Sequence, residues 1–126
     1  MLIEINRKIL SINHISLRRG YHTFITKEGK EMEKYIIESV NKQINKEEIL
    51  PLIDKQLSVT IKVYENWFTK KGKIKRADLD NKCKYLLDFL FKALNIDDKH
   101  IWELKLMKIQ KDTNKSEKAL IIIEVL

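Results

Sequence analysis

Five aspartates fall within 21 consecutive positions of a chain that contains only seven. They are Asp78, Asp80, Asp88, Asp97 and Asp98. Carboxylates held about 4 Å apart repel by roughly 4 kcal/mol per pair at an effective dielectric near 20, so a cluster of them needs a neutralising cation. Hard cations such as Mg²⁺ prefer carboxylate oxygens, and they can activate water for attack on a phosphate. Metal-dependent phosphodiester chemistry is therefore one interpretation of this region.

A run of positive charge directly precedes the first two aspartates. No carboxylate occurs between Glu65 and Asp78, and five cations lie within seven residues around Gly72. These cations are Lys70, Lys71, Lys73, Lys75 and Arg76. We predict a cationic loop or ribbon here that contacts the phosphates of a nucleic acid.

Each aspartate also has a plainer structural interpretation. Asp78 is a candidate helix N-cap, and Asp80 would be a first-turn carboxylate stabilised by the helix dipole. Asn95, Asp97 and Asp98 are residue types common in polar turns. Taken one by one, these residues are explained without any chemistry, so the argument for a site depends on their combination.

Two roles are also possible for Lys84, and two for the aromatic pair Trp67 and Phe68. Lys84 lies four residues from both Asp80 and Asp88, so it could form exposed helical ion pairs or face the charge that develops on a scissile phosphate. Trp67 and Phe68 precede the cationic run, where aromatic side chains could either stack on bases or pack on the core.

Hydrophobic periodicity predicts the elements that must position these residues. The apolar residues of positions 1–10 indicate an opening strand, and those from Thr26 onward indicate a first helix that ends before Pro51. Alternation over 57–65 predicts a strand with one buried face. Apolar residues at helical spacing over 79–94 predict a second helix, with Asp78 as its N-cap and Asn95 as its stop.

Two further strands, over 101–109 and 119–126, complete the prediction and should form a C-terminal hairpin. We therefore expect one α+β domain over residues 1–126, with a mixed β-sheet and two main helices packed on it. The second helix would be about 24 Å long, so the aspartates at its two ends meet only if the chain returns or if two copies associate.

Composition limits the class of protein further. A chain of 126 residues with 44% apolar and 34% charged residues can bury one core, and the single Cys83 excludes a disulfide framework. The net charge of +7 favours polyanionic partners. Three glycines, Gly20, Gly29 and Gly72, provide no glycine-rich nucleotide loop, so we expect no nucleotide cofactor. No export signal or membrane-spanning run is apparent, and we expect a cytosolic protein.

Considered together, the charged residues match a known pattern in both order and spacing. The pattern is Arg-x-Asp-x-Asp-Asn-x-x-Lys, followed further along the chain by an Asp-Asp turn. The matching residues are Arg76-Ala77-Asp78-Leu79-Asp80-Asn81-Lys82-Cys83-Lys84, Asp88 and Ile96-Asp97-Asp98-Lys99-His100-Ile101. This region resembles the signature of the RusA family of Holliday junction resolvases. Upstream, Ser11, Asn13 and 26–29 resemble the family's N-terminal segment, except that Ile9 and Leu10 replace its usual proline pair.

The resemblance implies roles for individual residues. Asp78, Asp80 and Asp98 would bind Mg²⁺ or Mn²⁺, and Lys84 would assist at the phosphate. Arg76 and Asp97 would support them, and the loop lysines would bind DNA.

The resemblance also implies a homodimer that nicks opposing strands of a four-way junction, leaving 5′-phosphate and 3′-hydroxyl ends. Its setting would be recombination and repair in a bacterial or prophage context. One alternative is a non-catalytic junction-binding or regulatory protein that uses the same basic surface. Another is a less selective nuclease that has the same site and cuts flaps or plain duplex.

Overall fold

The computed structural model describes all 126 residues as a sheet with helices packed against one face. The strands and helices, in chain order, are β1 (Leu2–Ile5), α1 (Ile12–Ile15), β2 (Ser16–Arg19), β3 (His22–Ile25), α2 (Lys27–Gln43), α3 (Lys46–Ile49), β4 (Leu57–Glu65), α4 (Leu79–Leu94), β5 (Ile101–Gln110) and β6 (Lys118–Val125). Short 3₁₀ turns cover Leu50–Leu52 and Asp98–His100. The predicted α+β class is confirmed.

Strand β4 organises the four-stranded sheet, whose order is β1-β6-β4-β5. It pairs in parallel with β5 and antiparallel with β6. The predicted hairpin of the last two strands is therefore wrong, because β5 and β6 lie on opposite sides of β4. Helix α4 is the crossover between β4 and β5, and a helical crossover places the following strand parallel to the one before it.

One hydrophobic core joins the sheet to the two long helices. Along β4, every second residue from Leu57 to Val63 is buried, as the alternation predicted. In each long helix the apolar residues recur every three or four positions and form one stripe. The stripes contain Met32, Ile36 and Val40 of α2, and Leu86, Leu90 and Leu94 of α4. This packing fixes the direction of α4, and with it the positions of the aspartates at its two ends.

The helix boundaries agree with the sequence in most respects. The Thr26 side chain accepts a hydrogen bond from the Gly29 amide, as expected of an N-cap. Asp78 occupies the N-cap position of α4, but its carboxylate makes no capping bond to the backbone. Asn95 ends α4 in the left-handed region at φ 55°. The first helix ends at Gln43, and a separate helical turn follows before Pro51.

Residues 11–25 form structure that the sequence pattern did not indicate. The segment contains one helical turn, α1, and a two-stranded sheet of β2 and β3. None of the helices in the chain combines the length and the apolar character that crossing a bilayer requires.

Candidate active site

The N-terminal end of α4 forms one wall of a polar cleft of about 440 Å³. The opposite wall is the chain from Lys8 to His14, which follows β1 and continues into α1. The residues that line the cleft as a whole are Lys8, Ile9, Leu10, Ser11, Asn13, His14, Arg76, Ala77, Asp78, Asn81 and Lys82. The fold thus brings Ser11 and Asn13, which the sequence had singled out, next to Arg76 and Asp78.

Asp78 and Asp80 project from the first turn of α4, where the aligned peptide dipoles favour negative charge. Both residues are exposed. The only side-chain partner of Asp78 is Asn81, whose Nδ2 lies 3.4 Å from Asp78 Oδ2. Because the Asp78 carboxylate is not used as a cap, its oxygens remain available to bind a ligand.

A buried ion pair supports the floor of the cleft. Lys82 Nζ donates to Glu65 Oε1 at 2.9 Å and to the carbonyl of Ile9 at 3.1 Å. Burial raises the pKa of Glu65, and the Lys82 ammonium opposes that rise. The pair ties β4, α4 and the N-terminal segment together at the point where the cleft opens. Sequence reasoning missed it, since residues 17 positions apart carry no local signal of contact.

The cationic loop leads directly into this end of α4. All five of its cations, Lys70, Lys71, Lys73, Lys75 and Arg76, are exposed. Phe68 and Ile74 pair as an isolated antiparallel bridge, and Gly72 makes the turn between them at φ 77°. The loop is therefore a short ribbon that presents positive charge beside the carboxylates, as predicted.

Trp67 anchors that ribbon in the core. It is 5% exposed, and its indole Nε1 lies 3.1 Å from the carbonyls of both Val63 and Ile109. The packing interpretation of Trp67 is confirmed, and the base-stacking alternative is wrong for this residue. Phe68 remains 42% exposed at the root of the ribbon.

The second group of carboxylates lies at the opposite end of α4. Asp97 caps the 3₁₀ turn that follows, accepting a hydrogen bond from the Lys99 amide at 2.9 Å. This bond lowers the pKa of Asp97. Asp98 is exposed, and burial together with the nearby Asp98 charge raises the pKa of Asp88. Thus Asp97 and Asp98 lie at one end of α4, Asp88 lies within the helix close enough to feel the charge of Asp98, and Asp78 and Asp80 lie at the other end.

The two groups do not meet within one chain. Helix α4 has 16 residues and is therefore about 24 Å long. The pairing of β4 with β5 also places the two groups apart. Strand β5, which follows Asp98, begins beside the start of β4, whereas the cationic ribbon, which precedes Asp78, begins at the end of β4. No group of three His, Cys, Asp or Glu side chains is close enough to hold a metal ion. A single copy therefore does not complete the metal site that the sequence suggested.

Lys84 lies between the two groups on the exposed side of α4. It forms no salt bridge with Asp80 or Asp88, although its positive charge opposes the rise in the pKa of Asp88. Its ammonium is free to contact a ligand that approaches Asp80, one turn away.

A cationic ribbon beside carboxylates at a helix N-terminus is the kind of surface expected of proteins that bind nucleic acid through its phosphates. The comparison with protein families is more specific: residues 10–124 match the family described as endodeoxyribonuclease RusA. The chain belongs to the RusA family of endodeoxyribonucleases, which act on branched DNA junctions. No curated protein gave a significant match.

Proposed function

We propose that this protein is a divalent-metal-dependent endonuclease that resolves Holliday junctions by paired, symmetric nicks during DNA recombination and repair. The observation that carries the proposal is the continuity of the cationic ribbon with the carboxylates of Asp78 and Asp80. A DNA strand bound along the ribbon would bring a phosphate to the head of α4, where those carboxylates lie.

We further propose that the active enzyme is a homodimer whose sites are shared between copies. A two-fold axis across the middle of α4 would place Asp78 and Asp80 of one copy beside Asp98 of the partner subunit. The same operation would generate a second, identical site. Two identical sites are what cutting two opposing strands of a junction requires.

The outer edge of the sheet supports this association. Strand β5 is an edge strand of ten residues, so one side of its backbone has no partner strand. Trp102 is 68% exposed and Leu104 is 45% exposed on this strand. Exposed apolar residues on an unpaired edge are typical of a surface that pairs with another chain. Asp98 lies just before β5, so this edge is continuous with one half of the proposed site.

The metal would be held by Asp78, Asp80 and the partner's Asp98, and Mg²⁺ or Mn²⁺ is the type of cation that carboxylate oxygens select. Such an ion, when bound, lowers the pKa of water and offsets charge on the phosphate. Lys84 would stabilise negative charge on the phosphate, and Arg76 would orient the strand by its phosphates. Asp97 would hold the turn that presents Asp98.

A non-catalytic junction-binding protein is the alternative, and one observation favours it: a single chain assembles no three-carboxylate group. The test is cleavage of a synthetic four-way junction beside a linear duplex of matched sequence, with Mg²⁺, with Mn²⁺ and with a chelator. We expect metal-dependent nicks in the junction, and loss of cutting with retained binding in Asp80→Asn. Tight binding by the wild type without any cut would favour the alternative.

A further inference from the structure

The hairpin of β2 and β3 projects from the N-terminal segment and is exposed along nearly its whole length. Arg18 pairs with Thr23 and Arg19 with His22, and the two-residue turn contains Gly20 and Tyr21. Gly20 adopts a φ of 60°, which a tight turn of this kind requires. Tyr21 at the tip is 99% exposed. A tyrosine with no protein contact at a hairpin tip contributes nothing to packing.

The charge of this region is entirely positive. Residues 5–27 include no Asp or Glu. The hairpin itself carries Arg18 and Arg19, two of the four arginines in the chain. A polyanion is therefore the class of partner that this segment would attract.

One face of the hairpin combines apolar and cationic side chains. Alternation along the strands places Leu17 and Phe24 on the same face as Arg19 and His22. The ring centroids of His22 and Phe24 are 6.2 Å apart, in agreement with this placement. Leu17 is 48% exposed and Phe24 is 52% exposed. Aromatic surface interleaved with positive charge is typical of proteins that bind unpaired bases.

The hairpin is anchored at the rim of the candidate active site. Thr26, at its base, donates its side-chain hydroxyl to the carbonyl of His14 at 2.6 Å. The Thr26 amide also donates to the carbonyl of Ile15 at 2.7 Å. His14 and Asn13 line the same cleft as Asp78. A DNA strand that enters the cleft therefore passes beside the hairpin.

We propose that the β2–β3 hairpin recognises the branch point of the DNA, with Tyr21 stacking on a base unpaired there and Arg18 and Arg19 binding the flanking phosphates. The inference rests on the proposed function and adds the element that distinguishes a junction from a plain duplex. Bases at a branch point can leave the stack, whereas duplex bases cannot be reached by a stacking side chain without unpairing.

Binding is measured in an Asp80→Asn background, which prevents cutting, on a junction with 2-aminopurine at the branch point. We expect the fluorescence to change when the protein binds, because the probe exchanges its neighbouring bases for the Tyr21 ring, and Tyr21→Ala to remove most of that change. Tyr21→Ala should weaken junction binding about tenfold, the effect of losing one stacked base, and leave duplex binding within about twofold.

The arginines are tested by the double variant Arg18→Ala/Arg19→Ala. We expect the slope of log affinity against log salt to become shallower by about two for the junction. The matched control is Lys34→Ala/Lys42→Ala, which removes two exposed charges from α2 and should leave that slope unchanged. Circular dichroism checks that each variant is folded.

Wild-type cleavage is measured in parallel so that the two proposals fail separately. If the wild type cuts junctions but Tyr21→Ala binds and cuts them equally well, the hairpin inference is overturned and the proposed function stands. An unchanged 2-aminopurine signal in Tyr21→Ala would also overturn it. A change of oligomeric state in Phe24→Ala with junction binding intact would assign the apolar face to a second copy instead.

Discussion

Two inactive variants should restore activity to each other if the active site is shared between copies. Asp80→Asn damages one half of the proposed site and Asp98→Asn damages the other. In a dimer of the two variants, one site carries both changes, whereas the other combines an unaltered Asp78 and Asp80 with an unaltered Asp98 of the partner subunit. The structural basis is the 16-residue length of α4, about 24 Å, which separates these carboxylates within one chain.

The magnitude follows from counting sites. Random reassociation of equal amounts gives heterodimers as about half of all dimers, each with one intact site of two, so nicking should recover to about a quarter of the wild-type rate. The products should be singly nicked junctions, because a heterodimer cannot cut both strands. The assay is cleavage of a four-way junction labelled on all four strands, after the variants have been unfolded and refolded together.

The matched control is a mixture of Asp78→Asn and Asp80→Asn. These changes fall in the same half of the proposed site, so both sites of every heterodimer are damaged and no activity should return. Absence of recovery in the first mixture would refute the shared site. Equal recovery in the control mixture would refute it as well.

Three further predictions concern the framework of the site. Gly29→Ala should destabilise the protein by about 1 to 3 kcal/mol in urea unfolding, because its Cβ would lie 2.6 Å from the Ile15 carbonyl oxygen and overpack the base of the hairpin. Lys82→Met should cost about 3 to 5 kcal/mol at neutral pH, since it leaves the Glu65 carboxylate buried without its cation. Because folding raises the pKa of Glu65, the free energy of unfolding falls as the pH rises through that pKa. The stability lost in Lys82→Met should therefore be smaller near pH 4, where Glu65 is protonated. Burial raises the pKa of the Cys83 thiol to about 12, so iodoacetamide at pH 8 should label it only when the protein is unfolded.

A specific result would contradict each of these three predictions. Unchanged stability in Gly29→Ala would mean that α1 moves freely against α2. Equal losses for Lys82→Met at pH 4 and pH 7 would contradict a charged Glu65 as the source of the cost. Rapid labelling of Cys83 in the native protein would contradict its place in the core.

Strand β4 and helix α4 were predictable because each of them buries one face. A single buried face determines the spacing of the apolar residues along the sequence. The alternation from Leu57 to Val63 gave β4, and the apolar stripe between Asp78 and Asn95 gave α4 with the right ends. The pairing of β5 and β6 was predicted wrongly because two adjacent strands were assumed to pair with each other. Each of them instead pairs with β4, because packing of the core determines the strand order and the turn between β5 and β6 does not.

The candidate site was predictable only in its parts. Residue type and spacing indicated the cluster of five aspartates, and only the family resemblance selected Asp78, Asp80 and Asp98 from it. How far apart these three lie within one chain depends on the direction of α4. The pair of Lys82 and Glu65 forms through folding of distant segments. The β2–β3 hairpin escaped prediction because both of its faces are exposed, so no hydrophobic alternation indicated strands.

The most direct test of the central claim is cleavage of a supercoiled plasmid that extrudes a cruciform, with Mg²⁺ and with a chelator. Paired nicks within one binding event convert the circle to a linear molecule before the supercoiling that holds the cruciform is lost. We predict linear product that depends on Mg²⁺ and on Asp80, and no cutting of a plasmid without the cruciform. Nicked circles as the main wild-type product, or equal cutting of the control plasmid, would contradict the proposal that this protein is a Holliday junction resolvase.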